Sequence, residues 1–185
     1  MILPIIAFGD PVLKKKALDF DLKDPKLDQL IEDMFETMYE AAGVGLAAPQ
    51  VGLSRRLFVV DASPFEEDDP KMKDFKKVFI NPVLLDENGE EWTFNEGCLS
   101  IPGVREDVNR KAIIKIKYYD QKRILREEEY NGLAARIIQH EYDHIEGILF
   151  TDKLSAFKKR LIKGKLSDIQ KGKAKVSYKM RFYRA

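Results

Sequence analysis

Apolar residues recur at three- and four-residue spacing through Leu27, Leu30, Ile31, Met34, Met38 and Ala42, the stripe of a helix with one buried face. Asp24-Pro25 ahead of them reads as an N-cap with proline at the first helical position, and Gly43 behind them as the stop, which predicts a helix of about five turns. Residues 1–23, broken at Gly9-Asp10-Pro11, read as an extended arm laid over the body. Strand patterns take over after the first helix. Residues 57–60 form a short buried strand, and residues 78–85 and 91–96 read as two strands joined by a hairpin turn at Asn88-Gly89. Alternation over 113–119 predicts a further strand, which turns through 120–123 into 124–126. Asn131-Gly132 closes that hairpin and opens a second helix, whose face carries Leu133, Ile137, His140, Glu141 and His144 and which Gly147 ends. A third helix is predicted over 151–165, a strand or a loose end over 176–183, and a solvated, charged excursion over 63–77. With no internal repeat and no linker, this order specifies one α+β domain over 1–165, mostly antiparallel sheet packed around a central helix, followed by a basic extension over 166–185.

Composition adds bounds rather than chemistry. Hydrophobic residues make up 44% and charged residues 34% of the 185, the balance of a globular chain with a substantial core. No apolar run approaches the roughly 18 residues of a spanning helix, and the first residues lack a basic segment ahead of the apolar one, so a cytoplasmic protein with no membrane contact is expected. A single cysteine, Cys98, cannot form an internal disulfide, in keeping with a reducing compartment. The net charge of +1 conceals an asymmetry: residues 158–185 hold eleven Lys/Arg against Asp168 alone, which is +10, and residues 1–157 therefore carry −9. A basic tail on an acidic body suits contact with a polyanion.

The chemistry concentrates in Gln139-His140-Glu141-Tyr142-Asp143-His144, which contains both histidines of the chain. On a helix, side chains four residues apart are neighbours, so the two imidazoles can grip one metal ion while the Glu141 carboxylate stands beside it as a general base. A catalytic site needs a third protein ligand and one open position. No third histidine exists. Downstream, Glu146 is too close to turn back, which leaves Asp152 and Asp168; upstream, Cys98 sits between Gly97 and a Leu-Ser-Ile-Pro segment and offers a thiolate. Two sets are therefore open: Cys98 with His140 and His144, or a metalloendopeptidase set completed by Asp152 or Asp168. Separately, Gly43-Val44-Gly45-Leu46-Ala47-Ala48-Pro49-Gln50-Val51-Gly52 is a tightly bent, bare stretch that something can approach closely, with the Gln50 amide inside it. It follows a helix rather than a strand, which argues against a dinucleotide loop.

Three segments in this order resemble the peptide deformylases: Gly43-Val44-Gly45-Leu46-Ala47-Ala48-Pro49-Gln50, Glu96-Gly97-Cys98-Leu99-Ser100 and Gln139-His140-Glu141-Tyr142-Asp143-His144. The resemblance covers residues 1–165; Ile145 stands where leucine is usual, and the excursion at 63–77 and the basic tail depart from the pattern. It implies a metal-dependent hydrolase that removes the formyl group from the N-terminal formylmethionine of new chains and releases formate. It further implies Cys98, His140 and His144 as ligands of one divalent ion, ferrous iron in the cell, with nickel, cobalt or zinc accepted in its place. Glu141 would be the base, and the Gln50 amide and the Leu99 backbone N–H would face the oxygen that gains charge. A methionine pocket is implied near Val44, Gly45, Leu133 and Ile137, with Glu96 and Arg105 as polar or backbone-orienting groups. The partners expected are N-formylmethionyl nascent peptides, with ribosome contact through the basic tail and a monomeric enzyme.

Overall fold

Residues 57–60 are apolar without alternation because both faces of their strand are covered. The computed structural model describes residues 1–183; Arg184 and Ala185, the last positions of the basic extension, lie outside the described residues. An arm containing β1 (Ile5–Ile6) leads to α1 (Leu27–Glu40), and then to the strands of one antiparallel sheet. These are β2 (Gly45–Ala47), β3 (Leu57–Asp61), β4 (Lys76–Cys98), β5 (Ile101–Tyr119) and β6 (Leu125–Asn131), hydrogen-bonded in sequence order. α2 (Gly132–Ile145), α3 (Ala156–Gln170) and β7 (Met180–Arg181) complete the described elements.

Phe58 and Val60 of β3 point to α2, where they meet Ala134, Ala135, Ile137, Ile138 and Ile145. Leu57 and Val59 point the other way, to Leu27, Ile31, Met34 and Met38 of α1. Period-two geometry thus turns an all-apolar run into two cores, one on each side of the sheet. A third apolar cluster joins the N-terminal arm, β5 and α3 through Ile6, Leu13, Ile101, Phe150 and Ile162.

Several sequence expectations are corrected. Asn88-Gly89 is no hairpin turn: β4 runs unbroken from Lys76 to Cys98, and Gly89, at φ +78°, sits in a bulge where the register with β5 slips between Asn88 and Glu91. Residues 78–85 and 91–96 are therefore one strand, and its partner is β5. The true turn is two residues long, Leu99 and Ser100, since Cys98 pairs with Ile101. α1 starts at Leu27 rather than at Pro25, because Asp24 closes a separate turn, taking the Lys26 N–H on its carboxylate and the Leu27 N–H on its carbonyl, before the helical bond from the Leu30 N–H to the Lys26 carbonyl. It ends through Ala42, at φ +53°, with the Gly43 N–H returning to the Met38 carbonyl. The predicted third helix divides into a 3-10 turn, Phe150–Lys153, and α3, which is capped by Ser155 and continues past residue 165 to Gln170. The excursion is also more than a solvated loop. Glu66, Glu67, Asp68 and Asp74 are exposed, but Met72 is buried and Phe65 packs against the main core.

Candidate metal centre and cleft

β2 ends in a 3-10 turn, Ala48–Val51, that buries Gln50. The Gln50 carbonyl oxygen accepts the Ala47 N–H at 2.9 Å, which commits its amide nitrogen to the other side, 3.4 Å from Cys98 Sγ and 3.3 Å from Ser100 Oγ. Cys98 closes β4 at the tip of the β4–β5 hairpin, and α2 presents His140, Glu141 and His144 from below. The ligand atoms of Cys98, His140 and His144 all lie within 4.8 Å of one another, and Cys98 Sγ is 3.3 Å from His144 Nε2.

His140 is oriented from behind. Its Nδ1 is 2.9 Å from Glu96 Oε2, which leaves the other ring nitrogen for Cys98 and the centre. Glu96 is almost fully buried and has no oxygen to spare: Oε1 accepts from Arg110 Nε at 2.7 Å and from an Arg136 guanidinium nitrogen at 2.9 Å, and Oε2 takes Arg110 at 3.0 Å as well as His140. Arg110 continues the chain to Asp143 at 2.7 Å, on the same helix as the histidines. Burial alone would raise the Glu96 carboxyl, but His140 and Arg110 outweigh it and hold the group well below the usual carboxylate range. Burial likewise pulls His140 down, and its bonds to Cys98 and Glu96 overcome that and hold it up at about 10, whereas burial and the neighbouring His140 drive His144 well below its ordinary value.

Glu141 stands apart from this network. It is buried, its Oε2 has no hydrogen-bond partner, and burial pushes its carboxyl up to about 7. A Cβ on Gly45 would come within 2.4 Å of Oε1, so only glycine lets the β2 backbone pass this carboxylate. The same holds more mildly at Gly43, where a Cβ would meet Leu99 Cδ1 at 2.8 Å.

These groups open on a cleft of about 620 Å³. Val44, Gly45, Gln50, Glu96, Cys98, Leu99, Arg105, Leu133, Ile137, His140 and Glu141 all reach it, with His144 closing the centre behind them. Arg105 is exposed at the rim, tied to Asn95 by bonds of 2.9 and 2.6 Å. Asp152 and Asp168 are elsewhere: Asp152 pairs with Lys14 and caps the Leu149 N–H, and Asp168 faces Lys173. The donors that converge are thus one thiol and two imidazoles, a mixed soft and borderline set that fits a divalent transition-metal ion. Sequence reasoning missed Phe65, Phe94 and Tyr178 in the cleft wall, and Arg110 and Arg136 behind it. A charged residue at Arg110, in step with buried Val108 and Ile114 on one face of β5, was the available signal.

The sequence profile of the polypeptide deformylase family matches residues 2–160. The chain belongs to that family. A peptide deformylase of Christiangramia forsetii is 62% identical, over 98% of this chain and 96% of that one. Among solved structures, a peptide deformylase from Legionella pneumophila superposes with a TM-score of 0.81 at 39% identity, covering 95% of this chain and 99% of that one. One from Thermotoga maritima gives 0.76 at 42% identity, over 84% and 99%. Membership in the deformylases settles the class of reaction as hydrolysis of an N-terminal formyl group, and the endopeptidase alternative, whose carboxylates lie away from the centre, is not favoured. A deformylase is a metalloenzyme, and the Cys98, His140 and His144 cluster is the group of potential ligands found among the described residues. No described helix is long and apolar enough to cross a membrane.

Proposed function

We propose that this deformylase works through Cys98, His140 and His144 as ligands and Glu141 as base, and the observation carrying that assignment is the convergence of the three ligand atoms beside an unpartnered, buried carboxylate. A bound cation supplies Lewis acidity and brings the pKa of a water down towards neutrality. Glu141, buried and with Oε2 unpartnered, takes the proton and passes it to the amine that leaves. The Gln50 amide, fixed by Ala47, and the Leu99 N–H, at the tip of the hairpin, are the donors for the formyl oxygen as it gains charge. Glu96 serves His140 rather than substrate, because its oxygens are fully engaged.

Val44, Leu133 and Ile137 give the cleft an apolar wall suited to the methionine side chain, and Arg105 at the rim suits the peptide beyond it. β2 is the edge strand of its sheet and borders the cleft, so an extended peptide can lie along it. Ferrous iron is the ion we assign, with nickel, cobalt or zinc as substitutes that the same donors accept. The enzyme would act as a monomer in the cytoplasm on N-formylmethionyl nascent chains, with the basic α3 facing the ribosome.

Replacing Cys98 by Ser, in protein prepared without oxygen, should lower metal content or change metal preference while formate release from formyl-Met-Ala falls. Unchanged metal and unchanged activity would mean that another residue completes the site.

A further inference from the structure

Residues 171–183 leave α3 as an extended arm. Its exposure alternates: Ala174, Val176, Tyr178 and Met180 are half-buried, while Lys175, Ser177 and Lys179 are exposed. That is the period of a strand with one face laid on the body. Ala174, Met180 and Phe182 pack on the third cluster, and β7 pairs in parallel with β1, through the Ile5 N–H to Lys179 and the Ala7 N–H to Arg181, both 2.9 Å. Between these anchors the arm borders the cleft with residues 175–178.

Two bonds then reach the hairpin tip. The Tyr178 hydroxyl donates to the Leu99 carbonyl at 2.7 Å, and the Phe8 N–H donates to the Ser100 carbonyl at 2.8 Å. Phe8 lies two residues after β1 and Tyr178 two residues before β7, so both clamps are delivered by the β1–β7 pair and neither comes from the three motif segments. A two-residue turn leaves its peptide planes free to tilt, whereas a donor for a developing charge must already stand within about 3 Å of it. The N–H and C=O of Leu99 flank one Cα, so holding the carbonyl limits the swing of the N–H. From this geometry we propose that Tyr178 is a positioning residue, through which the C-terminal arm holds the Leu99 peptide in the orientation the formyl oxygen requires.

The inference rests on the assignment of the Leu99 N–H given above, and Tyr178→Phe tests it because that change removes only the hydroxyl. At equal metal content, kcat on formyl-Met-Ala should fall roughly three- to tenfold, the scale of one lost hydrogen bond, with KM unchanged. Amide hydrogen exchange at Leu99 and Ser100 should quicken in the same variant. Unchanged exchange together with unchanged kcat would overturn the clamp itself. Quicker exchange with unchanged kcat would overturn the Leu99 assignment and the catalytic link with it, and a change confined to KM would overturn the positioning role.

Discussion

As the proposed base, Glu141 would serve catalysis at a cost in stability. Folding raises its carboxyl from 4.5 to about 7, chiefly through burial, so the folded protein favours the protonated form. That contribution is complete below about pH 4.5 and is lost as pH rises through about 7. In chelator-treated protein, Glu141→Gln should therefore melt higher than the parent at about pH 8, by an amount on the order of 3 kcal/mol, and no higher near about pH 4. Equal melting at both pH values would remove the burial cost. Gly45 makes a second residue-scale case. Gly45→Ala forces its Cβ onto Glu141 Oε1, so the carboxylate must move, and kcat should drop roughly a hundredfold with metal content retained. Wild-type kcat in that variant would show that the base tolerates displacement.

At the scale of elements, long-range pairing decided what local signals could not. Asn88-Gly89 needs a left-handed glycine in a hairpin turn and in a bulge alike, and only the continuous ladder to β5 selects the bulge. The apolar stripe of α1 was legible, yet its stop was misplaced by one residue, because Gly43 is required by its closeness to Leu99 while Ala42 takes the left-handed position. Ala42 at φ +53° bears a steric penalty that glycine would not. Ala42→Gly should raise stability by about 0.5–1 kcal/mol in denaturant unfolding; a loss of stability would mean that the Ala42 methyl contributes more through packing than its backbone costs. The hairpin tip at Leu99 and Ser100 was hidden for the opposite reason: a turn of Leu and Ser carries no glycine or proline to announce it.

For the whole molecule, the two histidines of the cluster were readable because they share one helical face, and the cysteine because its flanking glycine and the other motifs resemble a known set. The arm that carries Tyr178 was not readable as part of the site. Its lysines dominate its composition, and only the three-dimensional pairing with β1 brings it to the cleft. The same docking changes how ribosome contact is best tested, since cutting the tail would strip apolar cover from the third cluster. Lys159 and Lys163 are exposed on α3, so replacing both with Glu should weaken ribosome association and reduce its salt dependence, measured by co-sedimentation. Unaltered, salt-sensitive association would place the contact elsewhere. The most direct test of the central claim joins formate release with metal analysis on Glu141→Ala prepared without oxygen. The site described here predicts metal content equal to that of the parent and a rate on formyl-Met-Ala lower by roughly a hundredfold or more; a variant that keeps its metal and the parental rate would contradict it.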